Sequence, residues 1–220
     1  MSKARESFDR ELTDLRDNIL HLGKIIDTAI ELAMQALKEQ DKEHAQQVID
    51  GDEEINTQRY EVEEQCLKLI ATQQPTARDL RAIIAAIHIV TELERMGDHA
   101  SGVADLAIRL ADQPHLKPLI DLPRMAEIDR AMIRDSLEAY FKNDPDLALE
   151  TAKRDAEIDG LRDQIYRELL TYMLEDPRNI ARATYLLWVT HKMERIADRV
   201  TNICEPVIFM TTGEFKELNF

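Results

Sequence analysis

Glycine is scarce in this 220-residue chain, with six in all, and aromatic residues make up only 5%. Twisted sheets draw on both, so a chain that is 44% hydrophobic and 32% charged without them favours long amphipathic helices. Cysteine is nearly missing as well. Cys66 and Cys204 lie far apart with no Cys-x-x-Cys pairing, and are expected to be packed, inert thiols. The opening "MSKARESFDRELTDLR" has no apolar stretch of the signal-peptide kind, so the expected location is the cytoplasm. Long hydrophobic runs are absent too. The longest, "AIIAAIHIV" at Ala82 to Val90, falls well short of the roughly 20 residues that cross a bilayer, and no membrane span is expected.

Positive charge is in deficit: 28 Lys and Arg stand against 43 Asp and Glu, a net charge of −15. No Lys/Arg-rich run could neutralise a row of phosphates, which argues against nucleic acid as a partner. The excess carboxylate favours divalent cations, although most of it belongs to solvated helix faces. Catalytic signatures are missing also. There is no Walker glycine loop, no Gly-x-Ser-x-Gly elbow and no His-Glu-x-x-His, so no residue is assigned a catalytic role and the expectation is a protein that is not an enzyme.

What the chain does have is helical periodicity. Phe8, Leu12, Leu15, Ile19, Leu22, Ile26, Ala29, Ala33 and Leu37 step by three and four, one stripe of a first helix. A second pattern covers about Lys42 to Ala71. Pro75 in "TQQPTARD" is placed near the first position of a third helix, which reaches about Ala111. The three prolines of "DQPHLKPLIDLP" interrupt the pattern and read as a linker. Helices over about Arg124 to Lys142, about Pro145 to Leu174, and from Pro177 onward, capped by Asp176, then repeat the plan.

The repeat extends to individual residues. With Asp41 aligned on Asp144, Ala45 meets Ala148, Asp52 meets Asp155, Ile55 meets Ile158 and Arg59 meets Arg162; after the turn, Glu94, Arg95 and Asp98 meet Glu194, Arg195 and Asp198. A duplicated helical unit is the simplest account. The expected fold is all-α, a tandem duplication of a three-helix bundle with six long helices: residues 1–112, a Pro-rich linker at 113–123, and residues 124–220.

Both copies set a Glu and an Asp four residues apart, where like charges repel by a few tenths of a kcal/mol. The seam Leu80, Ile84, Ile87, Thr91, Glu94, Asp98 makes the first pair the continuation of an apolar stripe, and Ile180, Thr184, Leu187, His191, Glu194, Asp198, Asn202 does so for the second. Folding the second helix back on the third sets Asp98 level with Asp50 and Glu94 level with Glu54, with Asp52 and Asn56 bracketing them. The same operation sets Glu194 level with Glu157, between Asp155 and Asp159. Two helices per repeat thus deliver carboxylates to one height. Converging carboxylates are tolerable if protonated, paired with Arg, or bound to a cation. Arg59, Arg95, Arg162 and Arg195 are all near enough in sequence for a neutralising network, so the residues alone leave metal, network and exposed surface pairs open. His191 by itself is more ordinary as a hydrogen-bonded histidine than as a ligand. Gly97 in mid-helix costs about 1 kcal/mol, which points to close approach of a neighbouring helix or an ion.

Four stretches carry a resemblance to a known family: "QPTARDLR" at Gln74 to Arg81, "ELERMGD" at Glu92 to Asp98, "TYMLEDPR" at Thr171 to Arg178 and "MERIADRVTNICE" at Met193 to Glu205. In these the chain resembles the PhoU family of phosphate-uptake regulators, over about Phe8 to Phe215. The resemblance implies two three-helix bundles and a surface site for a multinuclear metal cluster of iron, zinc, manganese or magnesium. Carried over residue by residue, it implies Glu94, Asp98, Glu194 and Asp198 as ligands, with Asp52, Asp155 and Asp159 on the facing helices. Asn56 stands where the second copy has Asp159, which implies weaker binding in the first; Ala197 replaces Gly97. The implied function is negative regulation of phosphate uptake and of the phosphate regulon. The implied partners are the ATPase of the phosphate ABC transporter, a phosphate-sensing histidine kinase and a second copy in a homodimer. Two other classes stand beside it. One is a helical scaffold with Arg-neutralised seams and no metal. The other is a carboxylate-bridged di-iron enzyme, which would need Glu-x-x-His on two helices, a spacing that none of the six histidines provides.

Overall fold

The computed structural model describes residues 3–214 and 216–218; Phe215, the far end of the stretch that carries the resemblance, lies outside them. Eight α-helices follow one another: α1 (Lys3–Glu39), α2 (Lys42–Asp50), α3 (Asp52–Gln73), α4 (Ala77–Leu110), α5 (Asp121–Lys142), α6 (Pro145–Lys153), α7 (Asp155–Glu175) and α8 (Ile180–Thr212), with a single 3₁₀ turn at Pro177–Asn179 before the last. No strand occurs among the described residues. Since α2 with α3, and α6 with α7, each form one bent rod, the arrangement is six rods in two sets of three.

The ends of the rods follow from local chemistry. Gln40 and Asn143 take left-handed backbone angles, φ 58° and 55°, which stop α1 and α5. Asp41 and Asp144 then cap the next helices: the Asp41 carboxylate accepts from the N–H groups of Glu43 and His44, and Asp144 from those of Asp146 and Leu147. Each such cap contributes about 1 kcal/mol. Asp176 accepts from Arg178 N–H as expected, but Pro177 opens the 3₁₀ turn rather than α8 itself. Pro75 lies outside α4, whose cap position is Thr76. In the linker only Pro114 and Pro118 are irregular; Pro123 sits in the first turn of α5, where its missing N–H has no intrahelical partner to lose.

Neither second rod is the continuous helix that its apolar stepping predicts. Gly51 and Arg154 interrupt them at nearly identical angles, φ −71° and −72° with ψ −12° at both. Ala45, Val48 and Ile55 stay buried on both sides of the first bend, as do Ala148, Thr151 and Ile158 at the second, so periodicity passes through and hides it. The bends matter for charge. They make Asp52 and Asp155 the first residues of new helices, where the exposed N–H groups and helix dipole favour an anion.

One apolar cluster runs through both repeats. The first rod contributes Leu15, Ile19, Leu22, Ile26 and Ile30, all essentially inaccessible; burying each such side chain contributes about 1.5–3 kcal/mol. α4 packs on α1, α2 and α3, α8 packs on α5, α6 and α7, and α4 and α8 pack on each other. The two motif-bearing helices are therefore central. Their buried arcs are wide: Ile83, Ala86, Ile89, Val90, Leu93 and Met96 on α4 are all buried.

Candidate functional site

Being central shifts the position of the carboxylates. Ile84 is 37% exposed and Ile180 48%, so the stepping seam that ends in each Glu-x-x-x-Asp runs along the rim of the buried arc and not down its middle. Glu94 and Glu194 are half-buried with 15% side-chain exposure each, facing α3 and α7 respectively. Asp98 is exposed and Asp198 is half-buried. The reading of these pairs as continuations of a core stripe is corrected accordingly: a helix packed on two sides has no single seam.

In the first repeat the structure brings Asp52, Glu94 and Asp98 together. Burial raises the Asp52 carboxyl above its ordinary value, the nearby Asp98 charge raises it further, and an Asn56 amide at 3.1 Å partly offsets both. Burial, then Asp98, likewise raises Glu94, against Arg59 and Arg95. Arg59 spans the groove, its Nη1 donating to Glu94 at 3.3 Å and its Nε to Glu63 at 3.0 Å. Asp52 Oδ1 is buried without a hydrogen-bond partner. Glu54 and Asp50 are not level partners of the motif. Glu54 is exposed, and Asp50, on the far side of the Gly51 bend, accepts from Gln46.

The second repeat gathers more charge. Asp155, Asp159, Glu194 and Asp198 line a cavity of about 420 Å³ together with Arg162, Arg195, Arg199 and Leu218. Burial, then the charges of Asp159, Asp198 and Glu194, pushes the Asp155 carboxyl up to about 6. Arg162 Nη1 reaches both Asp159 at 2.8 Å and Glu194 at 3.1 Å, and Arg195 Nη1 donates to Asp198 at 3.1 Å. His191 Nδ1 lies 3.0 Å from Glu194 Oε2 without hydrogen-bonding it, and its side chain is 66% exposed, so it is not the hydrogen-bonded histidine expected from its place in the stripe. Glu157 faces away and pairs with Arg124 at 2.8 Å.

These arginines show that the neutralising network is partly real. Among the described residues, no three His, Cys, Asp or Glu side chains stand close enough to hold a metal ion as placed. An all-oxygen donor set of several carboxylates, with an orphaned oxygen at Asp52 and carboxyls raised first by burial and then by neighbouring negative charge at Asp52, Glu94 and Asp155, fits a hard cation once the Arg side chains release them. Arg95 pairs with Glu92 at 2.8 Å and acts on Glu94 only through its charge. The thiols are inert as expected: Cys66 and Cys204 are buried, and burial pushes both up to about 12.

Likeness to known proteins runs the length of this arrangement. The sequence profile described as "PhoU domain" matches residues 19–107 and again 122–207. The chain belongs to the PhoU family. It is 41% identical over 205 residues to the phosphate-specific transport system accessory protein PhoU homolog of Aquifex aeolicus, covering 93% of each chain. Its likeness to the homolog of the same name in Clostridium acetobutylicum is 38% over 216 residues, 98% of this chain and 99% of that one. Among solved structures, PhoU from Pseudomonas aeruginosa superposes with a TM-score of 0.89 at 36% identity, covering 94% of this chain and all of that one. The phosphate transport system regulatory protein PhoU from Streptococcus pneumoniae gives 0.88 at 32%, covering 96% of this chain and 100% of that chain. The two profile matches fall one on each set of three rods.

Two residues escaped the sequence reading. Asp129 on α5 is wholly buried, and neither carboxylate oxygen has a hydrogen-bond partner. Its place in the looser stripe of Met125, Ile128 and Met132 concealed it, although the repeat spacing that aligns Asp41 with Asp144 sets it opposite Ile26. Glu92, also buried, ties the repeats together by accepting from Arg199 at 3.2 Å and Asn202 at 3.1 Å. Only a knowledge of the α4–α8 packing identifies that pairing.

Proposed function

We propose that this PhoU-family chain acts as a negative regulator of phosphate uptake and of the phosphate regulon. In this reading it is a cytoplasmic, non-enzymatic adaptor between the ATPase of the phosphate ABC transporter and a phosphate-sensing histidine kinase, and works as a homodimer. What carries the reading is a likeness over nearly the whole chain to accessory proteins of phosphate-specific transport, with both motif-bearing repeats intact. Consistent with a position beside the membrane rather than in it, no helix of the described residues is long and apolar enough to cross one.

The carboxylate seams are the cation sites of this adaptor. Asp52, Glu94 and Asp98 would hold an ion between α3 and α4, and Asp155, Asp159, Glu194 and Asp198 between α7 and α8. A bound cation would supply the positive charge that several half-buried carboxylates otherwise draw from Arg59, Arg162 and Arg195. Holding an ion therefore exchanges an Arg clamp for a metal clamp across the same pair of helices. The arginine contacts also favour a second reading, a scaffold whose seams are neutralised by Arg alone.

The test is complementation of a deletion strain carrying a phosphate-regulated reporter, with elemental analysis of protein purified without chelator or metal-affinity tag. The parent chain should restore repression in high phosphate and carry metal. A chain with Glu94, Asp98, Glu194 and Asp198 changed to Ala should carry none. Failure of the parent to restore repression rejects the regulatory role, and a metal-free parent selects the Arg-neutralised scaffold.

A further inference from the structure

We infer that Asp129 is an inner ligand of the second-repeat cation site, so that this site is built from three helices, α5, α7 and α8, while the first is built from α3 and α4 alone. The inference rests on the reading of the carboxylate seams as cation sites. Asp129 has no exposed surface, and both of its side-chain oxygens lack a hydrogen-bond partner among the described residues. A carboxylate in that position is tolerated only if it is neutral or matched by positive charge. Its acidic neighbour is Asp155, whose charge adds to burial in keeping the Asp129 carboxyl well above its ordinary range. Asp155 in turn faces Asp159, Asp198 and Glu194 at the wall of the cavity.

No nearby guanidinium serves Asp129. Arg130 is bound to Asp27 and Glu31, Arg124 to Glu157, Arg154 to Asp135, Arg162 to Asp159 and Glu194, Arg195 to Asp198, and Arg199 to Glu92. Nor does the fold need a carboxylate at this position. Its counterpart Ile26 is fully buried, and its Cδ1 would lie 3.3 Å from a Cβ placed on Gly97. The same core position is thus apolar in one repeat and ionisable in the other, and the repeat that carries the acid is the one that also has Asp159 where the first has Asn56. Five carboxylates against three make the second site the tighter one.

The deciding experiment is titration of the chelator-stripped full-length protein with Mn(II), followed by calorimetry and by the electron paramagnetic resonance of free Mn(II). The parent should show two classes of site. Asp129→Asn, which keeps the shape and removes the charge, should weaken the tighter class by about 10-fold or more and leave the weaker class unchanged. Asp129→Leu should do the same while raising the urea midpoint, a sign that the weakening does not come from unfolding. Glu194→Ala with Asp198→Ala should abolish the tighter class outright. Parent-like Mn(II) affinity in both Asp129 variants, with loss only in the double alanine variant, would overturn the role of Asp129 and leave the seams as cation sites. A parent that binds no Mn(II) would overturn both.

Discussion

The two repeats share a backbone plan and differ in how they fill it. Where the first has Ile26, Asn56 and Gly97, the second has Asp129, Asp159 and Ala197, one on each of the three rods of its repeat. The first repeat packs tightly: a Cβ on Gly97 would come within 2.9 Å of Ile55 Cδ1. The second replaces the isoleucine with a buried acid and the glycine with alanine, and its carboxylates line a cavity of about 420 Å³. Duplication has allowed one copy to keep apolar packing and the other to accumulate charge. The chemical consequence is two carboxylate groups of unequal charge on one scaffold.

The largest test of this contrast is to write the second repeat's acid into the first. Ile26→Asp places an unpaired carboxylate in a closed core and should destabilise the metal-free protein by about 3–5 kcal/mol, measured by urea unfolding. A change under about 1 kcal/mol would show that the first core is not closed. Exchanging the small residues comes next. Gly97→Ala gains about 1 kcal/mol of helix propensity but overpacks against Ile55 and Ile26 by about 1–3 kcal/mol, a net loss, whereas Ala197→Gly loses propensity with no steric relief. Thermal unfolding of both should show destabilisation; a stabilised Gly97→Ala would refute the close approach.

The smallest effect is a pH slope. The Asp155 carboxyl is raised to about 6 in the folded chain from 3.8, so the folded state takes up the proton more readily than the unfolded one. Its contribution to stability is therefore complete below about pH 4, falls as pH rises to about 6, and is flat above that. In chelator-treated protein, Asp155→Asn should remove this part of the decline and bring the stabilities at pH 4.5 and 7 closer together. An unchanged slope would mean that Asp155 is solvated and not repelled by its neighbours.

Much of this plan was legible in the chain because it rests on local signals. The helical class, the linker prolines, the Asp41, Asp144 and Asp176 caps and the pairing of the repeats all come from residues within a few positions of one another, or from a fixed spacing between copies. The carboxylates Asp52, Glu94, Asp98, Asp155, Asp159, Glu194 and Asp198 were found by the same means, and the structure does bring them into two groups. What was hidden depends on tertiary packing. The bends at Gly51 and Arg154 preserve the apolar phase and leave no break in it. The rim position of Glu94 follows from α4 being buried on two sides, and Asp129 is unusual only because of what surrounds it.

The contact between α4 and α8 has a consequence for folding units. Glu92 on α4 reaches Arg199 and Asn202 on α8, and Gly102 on α4 leaves the space that the Lys192 side chain of α8 occupies. Each repeat thus serves as the other's subunit, in the way that two identical chains meet across a two-fold axis. A fragment ending after the first three rods would expose the face of α4 that α8 now covers, and would be expected to recover its cover by self-association. The tandem chain is in this sense a tethered dimer. The tether keeps its partner always at hand, and it frees the two halves from having to be identical.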